Sequence, residues 1–190
     1  FSFGGGFKYI KQSIYNESVS NLGIDLGLLY QNYIHKYRLG VSISNVGTDM
    51  RLEGNDLYYN CDLDEQNQGN NDNITCIIKT DYFPLPIFYR TGFSKDIDIN
   101  SRLYYTGSID WVIPSDDVEY INIGSEFNYN NRAFARIGYR QIGKDDSEEG
   151  LTFGIGANWF MGGRNLNINY TYHEFGIFGY MQYFEFIFNL

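Results

Sequence analysis

From Arg164 to His173 the chain alternates without a break: Leu166, Ile168, Tyr170 and Tyr172 fall on one side of an extended backbone, and Asn165, Asn167, Asn169, Thr171 and His173 on the other. A period of two dictates a strand with one apolar and one polar face, because successive Cβ atoms of an extended chain point in opposite directions. The pattern recurs in segments of about ten residues, the length a tilted strand needs to cross a bilayer. These repeats constrain the chain to an all-β antiparallel fold and point to a transmembrane β-barrel.

Ten such strands are expected, placed by alternation and turn residues. The faces read as outward carry Gly5, Phe7 and Tyr9; Leu22, Ile24, Leu26, Leu28 and Tyr30; Tyr37, Leu39, Val41 and Ile43; Ile87, Tyr89, Thr91 and Phe93; and Leu103, Tyr105, Ile109 and Trp111. They continue with Ile121, Ile123 and Phe127; Ala133, Ala135, Ile137 and Tyr139; Leu151, Phe153, Ile155, Ala157 and Trp159; and Phe178, Tyr180, Phe184, Phe186, Phe188 and Leu190. With 18 Tyr and 15 Phe the chain is rich in the aromatic residues that flank lipid-facing barrel surfaces. A mean hydropathy of −0.35 fits strands of which half the residues face water.

The opposite faces carry the charges. Arg90, Arg102, Arg136 and Arg140 are expected in the lumen, with Asp25, Asp110, Glu126 and Glu185 as their counter-ions. On the lipid side a Lys or Arg near the midplane would cost about 2 to 4 kcal/mol, which is why the polar face is read as inward.

Loop lengths give a second argument, because bacterial barrels join strands by short periplasmic turns and longer outer loops. Short turns are expected at Gln31-Asn32, Lys95 to Asp98, Asn130-Asn131 and Gly162-Gly163. The outer side then receives Tyr15 to Asn21, Pro114 to Asp117, Gly143 to Gly150, the brief Glu174 to Ile177 turn, and a long insert over residues 45–83. A soluble sandwich also alternates, but does not require aromatic faces on consecutive ten-residue strands or loop lengths sorted by parity.

Several chemistries are unfavourable. A net charge of −9 would repel nucleic-acid phosphates, so no nucleic-acid partner is expected. No stretch of 18 apolar residues is present to make a transmembrane helix. Cys61 and Cys76 are the only cysteines; with no His nearby they read as a disulfide rather than half a zinc site. The acidic run Asp62, Asp64, Glu65 and Asp72 with Gly69 lacks the fixed spacing of a calcium loop and reads as solvated, as does Asp145, Asp146, Glu148 and Glu149. A rim protease would need a His with paired carboxylates, and only His173 beside Glu174 falls near the outer mouth. The chain is therefore expected to be non-enzymatic, without metal or cofactor.

The residues Gly6-Phe7-Lys8-Tyr9-Ile10, Asp25-Leu26-Gly27-Leu28-Leu29, Arg38-Leu39-Gly40 with Ser44-Asn45-Val46-Gly47, and Leu85-Pro86 before Tyr89-Arg90-Thr91-Gly92 follow one another in an order that carries a resemblance. It continues through Asn122 to Phe127, Ala135 to Tyr139, Leu151 to Gly156 and Tyr170 to Gly179. Together they resemble the later part of the PorV/PorQ family, barrels of the FadL-like superfamily associated with type IX secretion. That family's fourteen strands and N-terminal hatch imply that four strands precede Phe1, so the chain is expected to be a fragment or processed form; the insert over 45–83 departs from the family. The resemblance implies a bacterial outer-membrane component of a protein secretion machine that receives secreted cargo, with membrane lipid and other secretion proteins as partners. Two alternatives stay open: a FadL-like transporter of hydrophobic molecules, lined by inward Phe88, Tyr104, Val112, Tyr120, Phe134 and Tyr183, and a structural or adhesive surface barrel.

Overall fold

The computed structural model describes residues 1–62, 74–145, 147–161 and 164–189. Strand accounts for 73% of the chain and helix for 3%, which makes the protein all-β. Thirteen strands are present among the described residues: β1 (Ser2–Ile14), β2 (Glu17–Asn32), β3 (Tyr37–Gly47), β4 (Glu53–Gly54), β5 (Tyr58–Cys61), β6 (Ile74–Ile77), β7 (Phe88–Asp98), β8 (Leu103–Pro114), β9 (Tyr120–Tyr129), β10 (Ala133–Ile142), β11 (Leu151–Met161), β12 (Arg164–Glu174) and β13 (Tyr180–Asn189).

Ten of them make one sheet in the order β1-β2-β3-β7-β8-β9-β10-β11-β12-β13, with β4 as an eleventh strand on β2 and with β5 and β6 as a separate pair. The ten long strands are those the alternation predicts, and each has 10 to 16 residues. β1 and β13 are the two ends of the order, so the sheet does not close on itself among the described residues.

Compact packing divides the chain into two units, residues 1–4, 27–43 and 88–190 in the first and residues 5–26 and 44–87 in the second. In the first unit the antiparallel register places the predicted apolar residues side by side. One row reads Tyr105, Phe127, Ala135, Ile155, Tyr170 and Phe184 on successive strands; the next reads Leu103, Tyr129, Ala133, Ala157, Ile168 and Phe186. Ring pairs reinforce these rows, with Tyr105 and Phe127 at 5.1 Å between centroids and Tyr170 and Phe184 at 4.9 Å. The face stays uncovered by protein: Trp159 and Phe184 are each 66% exposed. Lys95 shares it, opposite Gly107 and four residues from the start of the turn, where a long side chain can carry its ammonium toward the end of the sheet.

The second unit holds a small core. Met50 and Leu85 are almost fully buried, and Met50 and Phe83 exchange two backbone hydrogen bonds of 2.8 Å. Asn21, also buried, donates to the carbonyl of Thr48 and accepts the Thr48 hydroxyl, tying β2 to the root of the insert. A Cβ at Gly47 would lie 2.7 Å from the Leu22 carbonyl oxygen and 2.8 Å from Leu85 Cδ1, so only glycine lets the strand approach this closely. The insert expected as a loop thus carries β4, a 3₁₀ turn at Asn55–Leu57, β5 and β6.

Three turns differ from expectation. β2 runs through Asn32, and the turn is Tyr33 to Lys36, closed where the Asn32 carboxamide accepts the amides of Ile34 and His35 at 3.0 and 2.9 Å. β7 runs through Asp98, and Asn100 closes the following turn by accepting the amides of Arg102 and Leu103, both at 2.9 Å. Asn accepts from its own backbone two or three residues on, so it precedes the reversal rather than sitting at its tip. Of Tyr15 to Asn21 only Tyr15 and Asn16 turn, and β2 begins at Glu17. The Asn130-Asn131 turn is as expected: both residues have positive φ, 53° and 54°, and Arg132 donates to Tyr129, the arrangement that suits the twist of a two-residue hairpin. Gly162 and Gly163 lie outside the described residues.

Gly47→Ala must push Leu22 and Leu85 apart and is expected to cost about 1 to 3 kcal/mol, read as a lowered midpoint in thermal unfolding.

Candidate functional site

The polar face of the first unit is built row by row from strand register. Asp96, Thr106, Glu126 and Arg136 stand opposite one another across β7, β8, β9 and β10. Arg38 enters this row from β3, its Nη2 donating to Asp96 at 2.6 Å and its Nε to Ser94 at 3.0 Å, while Thr106 donates to the same Asp96 oxygen at 2.8 Å. Lys36 pairs with Asp98 one step along the sheet.

Arg136 is the hub. Its Nε donates to Glu126 at 2.6 Å, its Nη1 reaches Asn169 Oδ1 at 3.1 Å, and its guanidinium carbon lies 5.2 Å from the Phe134 ring centroid. The Asn169 carboxamide donates in turn to Glu185 at 2.8 Å. The reach from β10 to β12 passes over β11, which places Gly154 and Gly156 there; a Cβ on Gly156 would sit 2.5 Å from Asn169 Oδ1 and 3.3 Å from Arg136 Nη1. Two missing side chains therefore let one guanidinium join charges four strands apart.

A cavity of about 840 Å³ lies along this face, open to solvent. Three cations, Lys36, Arg38 and Arg136, line it with four carboxylates, Asp96, Asp98, Asp110 and Glu126. Ion pairs and hydrogen-bonded Ser, Thr and Asn make it a wet, nearly balanced surface, suited to holding water and small polar groups. Among the described residues no three His, Cys, Asp or Glu side chains are grouped to hold a metal ion.

The eight charged residues singled out from sequence are brought together in part. Glu126, Arg136 and Glu185 join one network through Asn169. Asp110 lines the same cavity, and Arg90 is the cation that acts on its charge, while the Arg90 guanidinium lies 5.1 Å from the Phe88 ring centroid. Arg140 instead pairs at 2.8 Å with Glu149 in the segment after β10. Arg102 sits in the turn ahead of β8, not on the polar face. Asp25 belongs to the second unit, where it pairs with Lys8 at 2.8 Å and accepts the Asn45 amide at 2.8 Å. Asp96 and Asp98 were missed because Lys95 to Asp98 reads as a bend; the alternation of Phe93, Lys95 and Ile97 against Ser94, Asp96 and Asp98 was the available clue.

In the second unit, Asn45 links sequence segments forty residues apart. Its backbone is left-handed at φ 65°, its carboxamide oxygen accepts from Lys8, and its Nδ2 donates to the Pro86 carbonyl at 2.8 Å. Cys61 and Cys76 form the expected disulfide, with Cα atoms 5.9 Å apart, joining β5 to β6. Asp64, Glu65, Gly69 and Asp72, like Asp146, lie outside the described residues.

His173 and Glu174, the one His and carboxylate that the sequence brings near the outer mouth, are separated by the strand itself. His173 stands opposite Thr152 and Met181 on the polar face and is buried, with no hydrogen-bond partner at Nε2; Glu174, next along the strand, points to the other face opposite Tyr180. His35 lies in the Tyr33 to Lys36 turn. Comparison with family models, with curated proteins and with solved structures returned no match.

Outside the long strands, Lys144 donates to Asp117 and so ties two connecting segments. That hydrogen bond, with a second from the Val118 amide at 2.8 Å, holds the Asp117 carboxyl below the usual carboxylate range and raises the Lys144 ammonium above its own. A depressed carboxyl stabilises above its unfolded value of about 3.9 and loses that contribution as pH falls through the folded value; a raised ammonium stabilises below about 10.4 and loses it as pH climbs through the folded value. Hydrogen exchange at the Val118 amide should therefore quicken, relative to a Lys144→Met control, only in acid below about pH 4 and in strong alkali. Arg136→Ala is expected to lower stability by about 1 kcal/mol because two hydrogen-bonded groups, Glu126 and Asn169, lose a partner at a half-exposed site, and Gly156→Ala, which displaces the Asn169 carboxamide, should reproduce part of that loss in denaturant titration.

Proposed function

We propose that this chain forms the wall of a bacterial outer-membrane β-barrel and serves a protein secretion machine of the type IX kind as a non-enzymatic component, receiving secreted cargo at the outer face. The observation that carries the membrane reading is the sorting of side chains by register: apolar rows run unbroken over successive strands on one side, and hydrogen-bonded charges occupy the other. Apart from Met50, Leu85 and Val112, the described residues include no fully buried hydrophobic side chain, so an external apolar medium accounts for the aromatic face better than a protein core does. In hydrocarbon, unpaired edge amides of β1 and β13 would each cost several kcal/mol, so a membrane setting requires that further pairing complete the sheet.

The cargo-receiving role rests on the resemblance described above and on the insert. A structured, disulfide-bridged projection offers a defined recognition surface. Uptake of hydrophobic solutes is less favoured, because the inward apolar residues do not form a continuous lining. Val112 stands opposite Tyr120, and Tyr104 lies two strands from Phe134 on another row, with the Asp110–Asn122 and Thr106–Glu126 rows between.

Trp111 and Trp159 both lie on the apolar face, which gives a direct test of lipid contact. In bilayers of phosphatidylcholine with brominated acyl chains, their fluorescence should fall well below its value in unbrominated bilayers. Equal emission in both would exclude lipid from that face and remove the membrane reading. For the secretion role, deleting residues 48–82 in the producing cell should leave the barrel inserted and abolish recovery of secretion partners on affinity purification; unchanged partner recovery and unchanged secretion would count against it.

A further inference from the structure

We infer that the insert carries a docking groove for an extended, basic segment of another protein. The inference rests on the reading of the insert as the partner-receiving element, and it names the chemistry of what is received. Three independent features support it.

The first is shape. Beside the β5–β6 pair lies a groove of about 340 Å³ whose apolar floor is Leu52, Leu57, Tyr58, Ile77 and Ile78. Tyr58 and Ile77 are direct cross-strand partners, which puts both on the groove side, and each is more than half exposed. A groove of this size takes one or two apolar side chains of an extended peptide, not a folded domain.

The second is open backbone. Among the described residues β5 and β6 pair only with each other, so there each strand presents one outer edge to a further strand. An added strand would pair along such an edge and would present every second side chain to the groove. The Cys61–Cys76 bridge holds the pair in place, which lowers the ordering cost of binding.

The third is charge. Residues 45–83 contain eight Asp and Glu against one Arg and one Lys, a formal −6 of the chain's −9. Of the two cations on the groove, Arg51 is engaged by Glu53 and lies over the Tyr82 ring, while Lys79 is exposed to solvent. A second copy of this chain would bring the same negative surface and be repelled, as would an anionic lipid headgroup. A segment alternating Lys or Arg with Val or Ile matches the edge, the floor and the field together.

The test uses the whole chain, disulfide intact, in micelles of a zwitterionic detergent, with a fluorescein-labelled ten-residue peptide of alternating Lys and Val and its Glu–Val counterpart, read by anisotropy. The Lys–Val peptide should bind, weaken as salt rises from 50 to 300 mM, and lose more than tenfold in affinity in a Tyr58→Ser/Ile77→Ser variant whose charge is unchanged. The Glu–Val peptide should not bind. Equal binding of both peptides, no binding of either, or full retention of Lys–Val binding in the double variant would overturn the inference. Since Tyr58 and Ile77 are exposed, the variant should fold; far-ultraviolet circular dichroism on the same sample checks this, and an Asp56→Asn/Asp81→Asn variant, expected to bind at least threefold more weakly, provides a second reading. Bromolipid quenching of Trp111 and Trp159 separates the outcomes: quenching without peptide binding defeats the groove alone, whereas peptide binding without quenching defeats the membrane reading alone.

Discussion

Antiparallel backbone pairing from β7 through β13, in one register apart from a shift between Tyr139 and Ile142 where β10 meets β9, is the constraint on which the remaining features depend. Each strand from β7 to β12 satisfies its amides and carbonyls on two neighbours and β13 on one, and because side chains alternate, the same pairing commits every second residue to one face for seven strands in succession. A slip of one residue anywhere would put Arg136 among Phe127, Ile155 and Tyr170 and would expose those rings in its place. The cost of carrying a charge to the apolar side and leaving its partners unpaired holds the register where it is.

Given that register, the polar face organises itself around glycines as much as around charges. Gly154 and Gly156 leave a gap over β11 through which Arg136 spans from Glu126 to Asn169, and Asn169 passes the connection on to Glu185. Short Gly, Ser and Thr residues elsewhere on this face, such as Ser108, Gly124 and Thr152, leave room for the cavity that Asp96, Asp110 and Arg38 line. The second unit follows a different economy: Met50, Leu85 and Asn21 make a small buried centre, and Gly47 allows β3 to close on it. The insert gains from that anchor a fixed base and, from Cys61–Cys76, a fixed tip.

Much of the architecture was legible in the sequence because period-two alternation is a local property. Leu166, Ile168, Tyr170 and Tyr172 share a face whatever else the chain does, and so ten strands and their polarity could be read without knowing a single contact. Turns were less legible. Gln31-Asn32 and Lys95 to Asp98 looked like turns, but the carboxamides of Asn32 and Asn100 accept amides further along the chain, so the strands continue past the point where composition suggests they stop. The insert was read as loop because its strands are two to four residues long, too short to display a period, and because they are stabilised by the bridge and by contacts with Asn16 and Glu17 far away in sequence.

Sequence alone determined the fold class, the two-faced character of the sheet and the pairing of the only two cysteines, since each follows from residue type and spacing. Tertiary structure alone decided which charges meet. Arg140 finds Glu149 rather than a strand carboxylate, Asp25 finds Lys8, Arg102 falls in a turn, and His173 parts company with Glu174. The reason is physical: facing direction is set by each residue's own position along its strand, whereas partnership depends on the stagger between strands and on which intervening positions lack a side chain, and neither is written in any one segment.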